Sequence, residues 1–247
     1  MAQQLPQLKR IFDFAVVLIA APIWIPAMAV TAVTILLTSG WPILYLSRRY
    51  VLKECRYRTI VKFRAMVKNA EKIANRDTVQ AEADKLLNIV INSTLYTPLG
   101  QTLEKIHFTE LPQLIQVLAG TLTLVGNRPM PENMLNAGRS AYPYIDERFS
   151  IPCGITGPAQ LSGREKLTDK ERLKLEITYV YWCQQAYSPL TDLYFLVITI
   201  LLPLSLYKHP TISQIEDILF KRTTQDKVGL IKHQVANVMS NSVARCE

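Results

Sequence analysis

Cysteine and histidine are scarce in this chain, and those present are scattered. Cys55, Cys153, Cys183 and Cys246 stand far apart with no C-x-x-C spacing, and His107, His209 and His233 are equally dispersed. That pattern excludes a zinc finger and a disulfide framework, and leaves the reduced thiols of a cytosolic compartment as the default. Internal repeats and low-complexity tracts are also missing. The most telling absence is charge: no Asp, Glu, Lys or Arg occurs between Phe14 and Ser47.

That uncharged run sets the first expectation. Phe14–Thr38 is almost wholly apolar and long enough to cross a bilayer as one helix. A secretory signal would have a shorter apolar core followed by a small-residue cleavage site, and fits poorly. A plain transmembrane helix is the second alternative. Pro22 and Pro26 each remove a helix hydrogen bond, so the helix is expected to kink or break near them. Lys9 and Arg10 precede the run, and Arg48 and Arg49 follow it. A spanning helix collects its basic residues on one side. Basic flanks at both ends favour a re-entrant hairpin that enters and leaves by the cytoplasmic face, provided its broken backbone finds internal partners.

The chain carries a net charge of +8, which calls for an anionic partner. Residues 48–72 hold nine basic and two acidic side chains, a net +7, immediately beside the apolar run. An anionic membrane lipid surface therefore suits this charge, at about 1 kcal/mol per basic residue near the headgroups. No nucleic-acid motif is present, so no nucleic acid is expected as a partner.

The rest reads as a mixed α+β chain. Val67–Leu87 is Ala-, Glu- and Lys-rich without Gly or Pro and reads as a surface helix, followed by a loop with a short strand to Leu99. Leu111, Leu114, Ile115 and Leu118 have helical spacing, with Pro112 suited to the first turn. This places Thr109 and Glu110 at a helix N-terminus, where anions are favoured. Leu122–Val125 reads as a strand leading into Gly126. Thr168 to Glu171 forms a T-x-x-E capping box that opens a helix to about Gln184. Leu193–Tyr207, interrupted by Pro203, is short for a span and suits an interfacial helix.

Several strings, in order, resemble the bacterial sugar transferases, the small monotopic phosphoglycosyl transferases. Gly100–Pro129 reads GQTLEKIHFTELPQLIQVLAGTLTLVGNRP, close to the family's central signature. Lys9, Arg10 and Asp13 match its K-R-x-x-D start, and Lys62-Phe63-Arg64-Ala65-Met66 its K-F-R-T-M. Residues from Arg148 to Gly157 match R-x-x-V-x-P-G-I-T-G, with Cys153 at the proline position. Gln160 and Gly163 continue the match, and Glu176 and Tyr179 correspond to an Asp and a Tyr. The family's re-entrant helix breaks at a Ser-Pro pair, and here Ala21-Pro22 stands in that place.

The resemblance implies a re-entrant membrane region over 1–47, a small, mostly helical cytosolic domain of catalytic type over 48–207 with an interfacial helix at 190–207, and a polar tail over 208–247. It implies transfer of a sugar 1-phosphate from a nucleotide sugar to a polyprenyl phosphate, at the start of exopolysaccharide or envelope-glycan assembly. The setting would be the cytosolic face of the bacterial inner membrane, with other glycan-assembly proteins as further partners. Lys62, Arg64 and Arg128 would bind phosphates, since ammonium and guanidinium groups suit diphosphates. Glu110 would be catalytic and hold Mg2+. In the family an Asp attacks the diphosphate and forms a covalent phosphosugar; that position is Thr109 here. A hydroxyl needs a base to attack. Glu104 stands where the family usually has an arginine, and adds negative charge near bound phosphate. Two readings therefore stay open: an active transferase, or a catalytically impaired relative that binds substrate or a partner in the same pathway.

Overall fold

The computed structural model of the protein describes residues 5–53, 56–70, 94–163 and 166–240. The apolar N-terminal run forms two helices, α1 (Gln7–Ile19) and α2 (Ala21–Ser39). The break falls at Ala20, just before Pro22, which has no N–H to continue the α1 ladder. Pro26 lies inside α2 and does not end it. At the break the Trp24 indole Nε1 donates to the Val17 carbonyl at 2.9 Å. A freed backbone carbonyl in an apolar setting needs such a partner, and the indole supplies what Ala21 cannot. Among the described residues α2 alone is long and apolar enough to cross a membrane, with 19 residues and a mean hydropathy of 1.8. It buries only Trp24, Thr31 and Ile35.

Both ends of this apolar segment are tied to the same domain. On α1, Lys9 is buried and donates to Asp192 at 2.6 Å, and Asp13 Oδ1 accepts from the Leu124 amide at 3.3 Å. Arg10 donates to the Val117 and Leu118 carbonyls at 2.5 and 2.8 Å. At the far end, Ile35 packs with Phe63 and Leu103. The Arg64 guanidinium there donates to the carbonyls of Ser39 and Gly40 at 2.6 and 2.8 Å.

The basic stretch folds as an antiparallel hairpin of β1 (Leu44–Leu52) and β2 (Arg56–Phe63), with Tyr45 opposite Lys62. The expected helix at Val67–Leu87 lies, from residue 71 on, outside the described residues. Next come α3 (Pro98–Lys105), a 3-10 turn at Phe108–Glu110, and α4 (Gln113–Leu118). The expected single helix from Glu110 is thus divided. Thr109 and Glu110 lie in the 3-10 turn rather than at an α-helix N-terminus, and Pro112 caps α4. The short strands β3 (Thr123–Val125) and β4 (Gly154–Thr156) pair in parallel, on either side of α5 (Glu132–Ala141). A Cβ on Gly154 would stand 2.2 Å from the Gly126 nitrogen, so only glycine permits this approach.

The largest core element follows the short helix α6 (Pro158–Leu161). It is α7 (Asp169–Ala186), opened by the expected capping box of Thr168 and Glu171. Leu173, Leu175, Ile177, Tyr179, Trp182 and Cys183 are buried around its circumference, as in a helix enclosed on all sides. The apolar helix α8 (Pro189–Leu201) ends before Pro203; it buries Phe195 and Ile198 but exposes Leu190, Leu193, Val197 and Ile200. The last stretch, read as a polar tail, contains α9 (Ile212–Phe220) and α10 (Gln225–Ser240), which pack on α7. Their buried Ile215, Leu219, Ile231 and Val235 belong to the main core. Four apolar residues spaced widely among polar ones give a weak sequence signal, because only one stripe of each helix is covered.

Candidate active site

Three segments build the site: the end of β2, helix α3 with its 3-10 turn, and the loop after β3. Gly100 fixes the first two against each other. A Cβ there would lie 1.8 Å from the Ala65 carbonyl oxygen, so α3 sits on the backbone that follows β2. Thr97 caps α3 by accepting from the Gly100 amide at 2.9 Å. The helix stops at Lys105, and His107 adopts a left-handed conformation, φ 61°, that turns the chain back into the 3-10 turn.

Glu110 is the centre of the charge arrangement. Its Oε1 accepts from Lys62 Nζ at 2.6 Å and from Arg128 Nη2 at 2.5 Å. The carboxylate is buried and the two cations are largely so. Burial pushes the Glu110 carboxyl up, but the charges of Arg128 and Lys62 outweigh it and hold it well below the usual carboxylate range. Burial and Arg128 push the Lys62 ammonium down against the pull of Glu110. Glu110 takes up only one of the two positive charges of Lys62 and Arg128, and Glu104 bears on both cations as well. Arg128 is itself anchored, because the buried Arg148 donates to its carbonyl at 3.1 Å.

Beside this centre, Thr109 Oγ1 donates to Glu104 Oε2 at 2.8 Å. The turn at His107 brings together two residues five apart, which no continuous helix would align so closely. Thr109 is buried, at 1% exposure. Glu104 lines an open cleft together with Arg49, Lys62, Arg64, Met66 and Tyr96. Glu104 is thus not simply a repulsive charge near a phosphate site: its carboxylate is engaged by the Thr109 hydroxyl.

The remaining residues singled out from the sequence fall into different places. Arg64 lines the cleft, but its Nη2 is committed to the Ser39 and Gly40 carbonyls rather than to Glu110. Glu176 forms a buried cluster with Arg148 and Arg172, at 2.5 and 3.1 Å. The Tyr179 hydroxyl donates to Asp192, which also receives Lys9. Asn127 donates to the carbonyls of Arg148 and Glu176. These three support the scaffold. Asp192 and Trp24 had no motif to announce them, since their roles come from contacts across 183 and 7 residues of chain respectively. Among the described residues no group of three or more His, Cys, Asp or Glu side chains gathers around a metal position. A magnesium ion commonly takes one or two carboxylates and completes its shell with phosphate oxygens and water. Glu110 Oε1 is taken by Lys62 and Arg128, so only its Oε2 could enter such a set.

The sequence profile described as bacterial sugar transferase matches residues 4–205, most of the chain. The chain belongs to the bacterial sugar transferase family. The chain is 32% identical over 175 residues to the UDP-N-acetylgalactosamine-undecaprenyl-phosphate N-acetylgalactosaminephosphotransferase of Aeromonas hydrophila, an alignment covering 70% of this chain and 38% of that protein. It is 32% identical over 178 residues to the UDP-galactose-lipid carrier transferase of Erwinia amylovora, covering 70% and 36%. It is 31% identical over 167 residues to the exopolysaccharide production protein PSS of Rhizobium leguminosarum, covering 66% and 78%. The matched part of the chain thus spans well under half of the first two relatives and most of the third.

Proposed function

We propose that this protein transfers a sugar 1-phosphate from a nucleotide sugar to a polyprenyl phosphate, at the start of exopolysaccharide or envelope-glycan assembly. The observation that carries the proposal is the convergence of Lys62 and Arg128 on Glu110 beside a cleft at the base of the apolar helix. The cleft is lined by Pro42 and Leu44, just past the end of α2, so a lipid phosphate reaches it from the membrane surface. Trp41, Leu44 and Leu46 expose apolar surface at the same edge. A nucleotide sugar approaches from water. Lys62 and Arg128 then neutralise the diphosphate and hold it in place, which is most of what phosphoryl transfer asks of a protein.

Glu110 keeps both cations aimed at one point. It would also hold a magnesium ion, which when bound neutralises charge on the phosphoryl oxygens. The apolar segment serves as a re-entrant anchor whose two ends return to the cytosolic face of the inner membrane. In support, Lys9 and Asp13 at one end and Arg64 with Ser39 at the other are bonded within one domain. The exposed face of α8 adds an interfacial contact. The relatives named for UDP-sugars and undecaprenyl phosphate favour those substrates.

The test is a transfer assay on the full chain in native-like membranes containing undecaprenyl phosphate, with a panel of nucleotide sugars. Release of nucleoside monophosphate that depends on both the lipid and one donor is expected. Absence of release with every donor would contradict the proposal and favour a relative that binds without turnover.

A further inference from the structure

We propose that Glu104 is the catalytic nucleophile of this protein, and that Thr109 is the residue that positions it. The inference rests on the transfer reaction proposed above. Three observations carry it. Thr109 is buried at 1% exposure and is not among the residues lining the cleft, whereas Glu104 is. The Thr109 hydroxyl proton is spent on Glu104 Oε2 at 2.8 Å, which fixes the carboxylate and leaves Oε1 to react. Glu110, the other carboxylate, is committed to Lys62 and Arg128, while Glu104 makes no ion pair among the described residues. Glu104 is nonetheless close enough to Lys62 and Arg128 to bear on the charge of both. A phosphate held by those cations therefore lies within the field of this carboxylate.

A carboxylate is ionised at neutral pH and attacks without a base. A buried threonine hydroxyl would need a base, a free path to the phosphorus, and release from its present hydrogen bond. The geometry thus moves the reactive carboxylate from position 109 to position 104. The side chain is longer by one methylene than an aspartate, and it reaches the cleft from the last turn of α3.

The step balances as a double displacement. A Glu104 oxygen forms a bond to the sugar-bearing phosphorus of the nucleoside diphosphate sugar. The bond from that phosphorus to the bridging oxygen breaks, and the nucleoside monophosphate leaves with the electron pair. The product is a glutamyl acyl phosphate carrying the sugar, and no proton is transferred. An oxygen of the polyprenyl phosphate then bonds to the same phosphorus. The acyl oxygen leaves as the carboxylate, which regenerates Glu104.

The experiment traps the intermediate. Full-length protein is incubated with UDP-galactose or UDP-N-acetylgalactosamine without polyprenyl phosphate, and the adduct is mapped by peptide mass spectrometry. Hydroxylamine distinguishes the two adducts, since it cleaves the mixed anhydride of an acyl phosphate and leaves the phosphate ester of a phosphothreonine intact. The expected adduct lies on Glu104, is labile to hydroxylamine, and is absent in Glu104→Gln, which retains an acceptor for the Thr109 hydroxyl. In Thr109→Val the adduct forms on the same residue roughly tenfold more slowly, the size of one lost charge-assisted hydrogen bond, and Thr109→Ser restores the rate. A stable adduct on Thr109 that survives Glu104→Gln would overturn the assignment while leaving the transfer reaction standing. Equal lipid-product formation by wild type and Glu104→Gln would do the same. Failure of wild type to form product with any donor would instead overturn the transfer reaction, and this assignment with it.

Discussion

Thr109 and Glu104 depart from the family pattern at two places in the sequence, but in space they are one contact, with the hydroxyl of the first donating to the carboxylate of the second at 2.8 Å. The usual pattern at these positions places a carboxylate at 109 and a cation at 104. This protein places the carboxylate at 104 and a neutral donor at 109. Exchanging one member alone should therefore do harm. Thr109→Asp sets a second negative charge against Glu104 and removes its donor, so transfer should fall. Thr109→Asp with Glu104→Arg restores an opposite-charge pair and should recover stability but not transfer, because the carboxylate at 104 is gone. Residues in contact typically show coupling of about 0.5–3 kcal/mol in a double-mutant cycle. Additive effects on Tm would mean that the contact carries no energetic weight.

The Glu110 cluster makes stability depend on acid. Burial pushes this carboxyl up, and Arg128 and Lys62 more than reverse the effect, so its folded value lies below the unfolded one. A carboxyl depressed on folding contributes stability that is full above its unfolded value of about 4.3 and is lost as pH falls toward the folded value. Glu110→Gln leaves two cations without their common partner and should cost about 3–5 kcal/mol near neutral pH. The difference in Tm between wild type and variant should narrow below about pH 4. A difference that stays constant from pH 7 to pH 3 would remove the charge argument.

The three basic residues of the two motifs should separate by their effects. Lys62→Ala and Arg128→Ala each remove a cation from the anion centre, so the Kd for UDP should rise roughly tenfold or more, with weaker salt dependence. Arg64→Ala should instead release the Ser39 and Gly40 carbonyls at the end of α2, costing about 1.5–3 kcal/mol of stability. Titration with UDP and thermal melts of the same three variants measure both effects. An Arg64→Ala protein with native stability and lost UDP binding would assign Arg64 to the anion site instead.

Trp24 guards the break between the two N-terminal helices. Trp24→Phe keeps the ring and removes the donor to the Val17 carbonyl. Leaving that acceptor unsatisfied should cost about 1–3 kcal/mol. In sealed vesicles, tags before Gln7 and after Gly40 should share one protection pattern in wild type, as a re-entrant segment requires. Opposite protection would establish a span.

The legible parts of the molecule were those fixed by local chemistry. The proline at the helix break, the capping box of Thr168 and Glu171, and the strand ending at Gly126 each depend on residues adjacent in sequence, and each was readable. The cations Lys62 and Arg128 could be matched to motifs, but their meeting on one oxygen of Glu110 joins segments 48 and 18 residues away. The Thr109–Glu104 contact was obscured for a different reason. It depends on His107 adopting a left-handed backbone, which histidine tolerates better than most residues but adopts too rarely for one histidine in a sequence to predict. Glu104 taken alone therefore looked like a misplaced charge. The helices α9 and α10 were missed because each contributes only a thin apolar stripe, and that stripe finds its counterpart on α7.

In the proposed reaction a sugar leaves its nucleotide together with one phosphate. The most direct measurement supplies the full chain, in membranes containing undecaprenyl phosphate, with a UDP-sugar labelled with 32P at the phosphorus that bears the sugar. Transfer of a sugar 1-phosphate carries the label into the lipid and releases unlabelled UMP. Label remaining on released UDP, with sugar alone on the lipid, would contradict it.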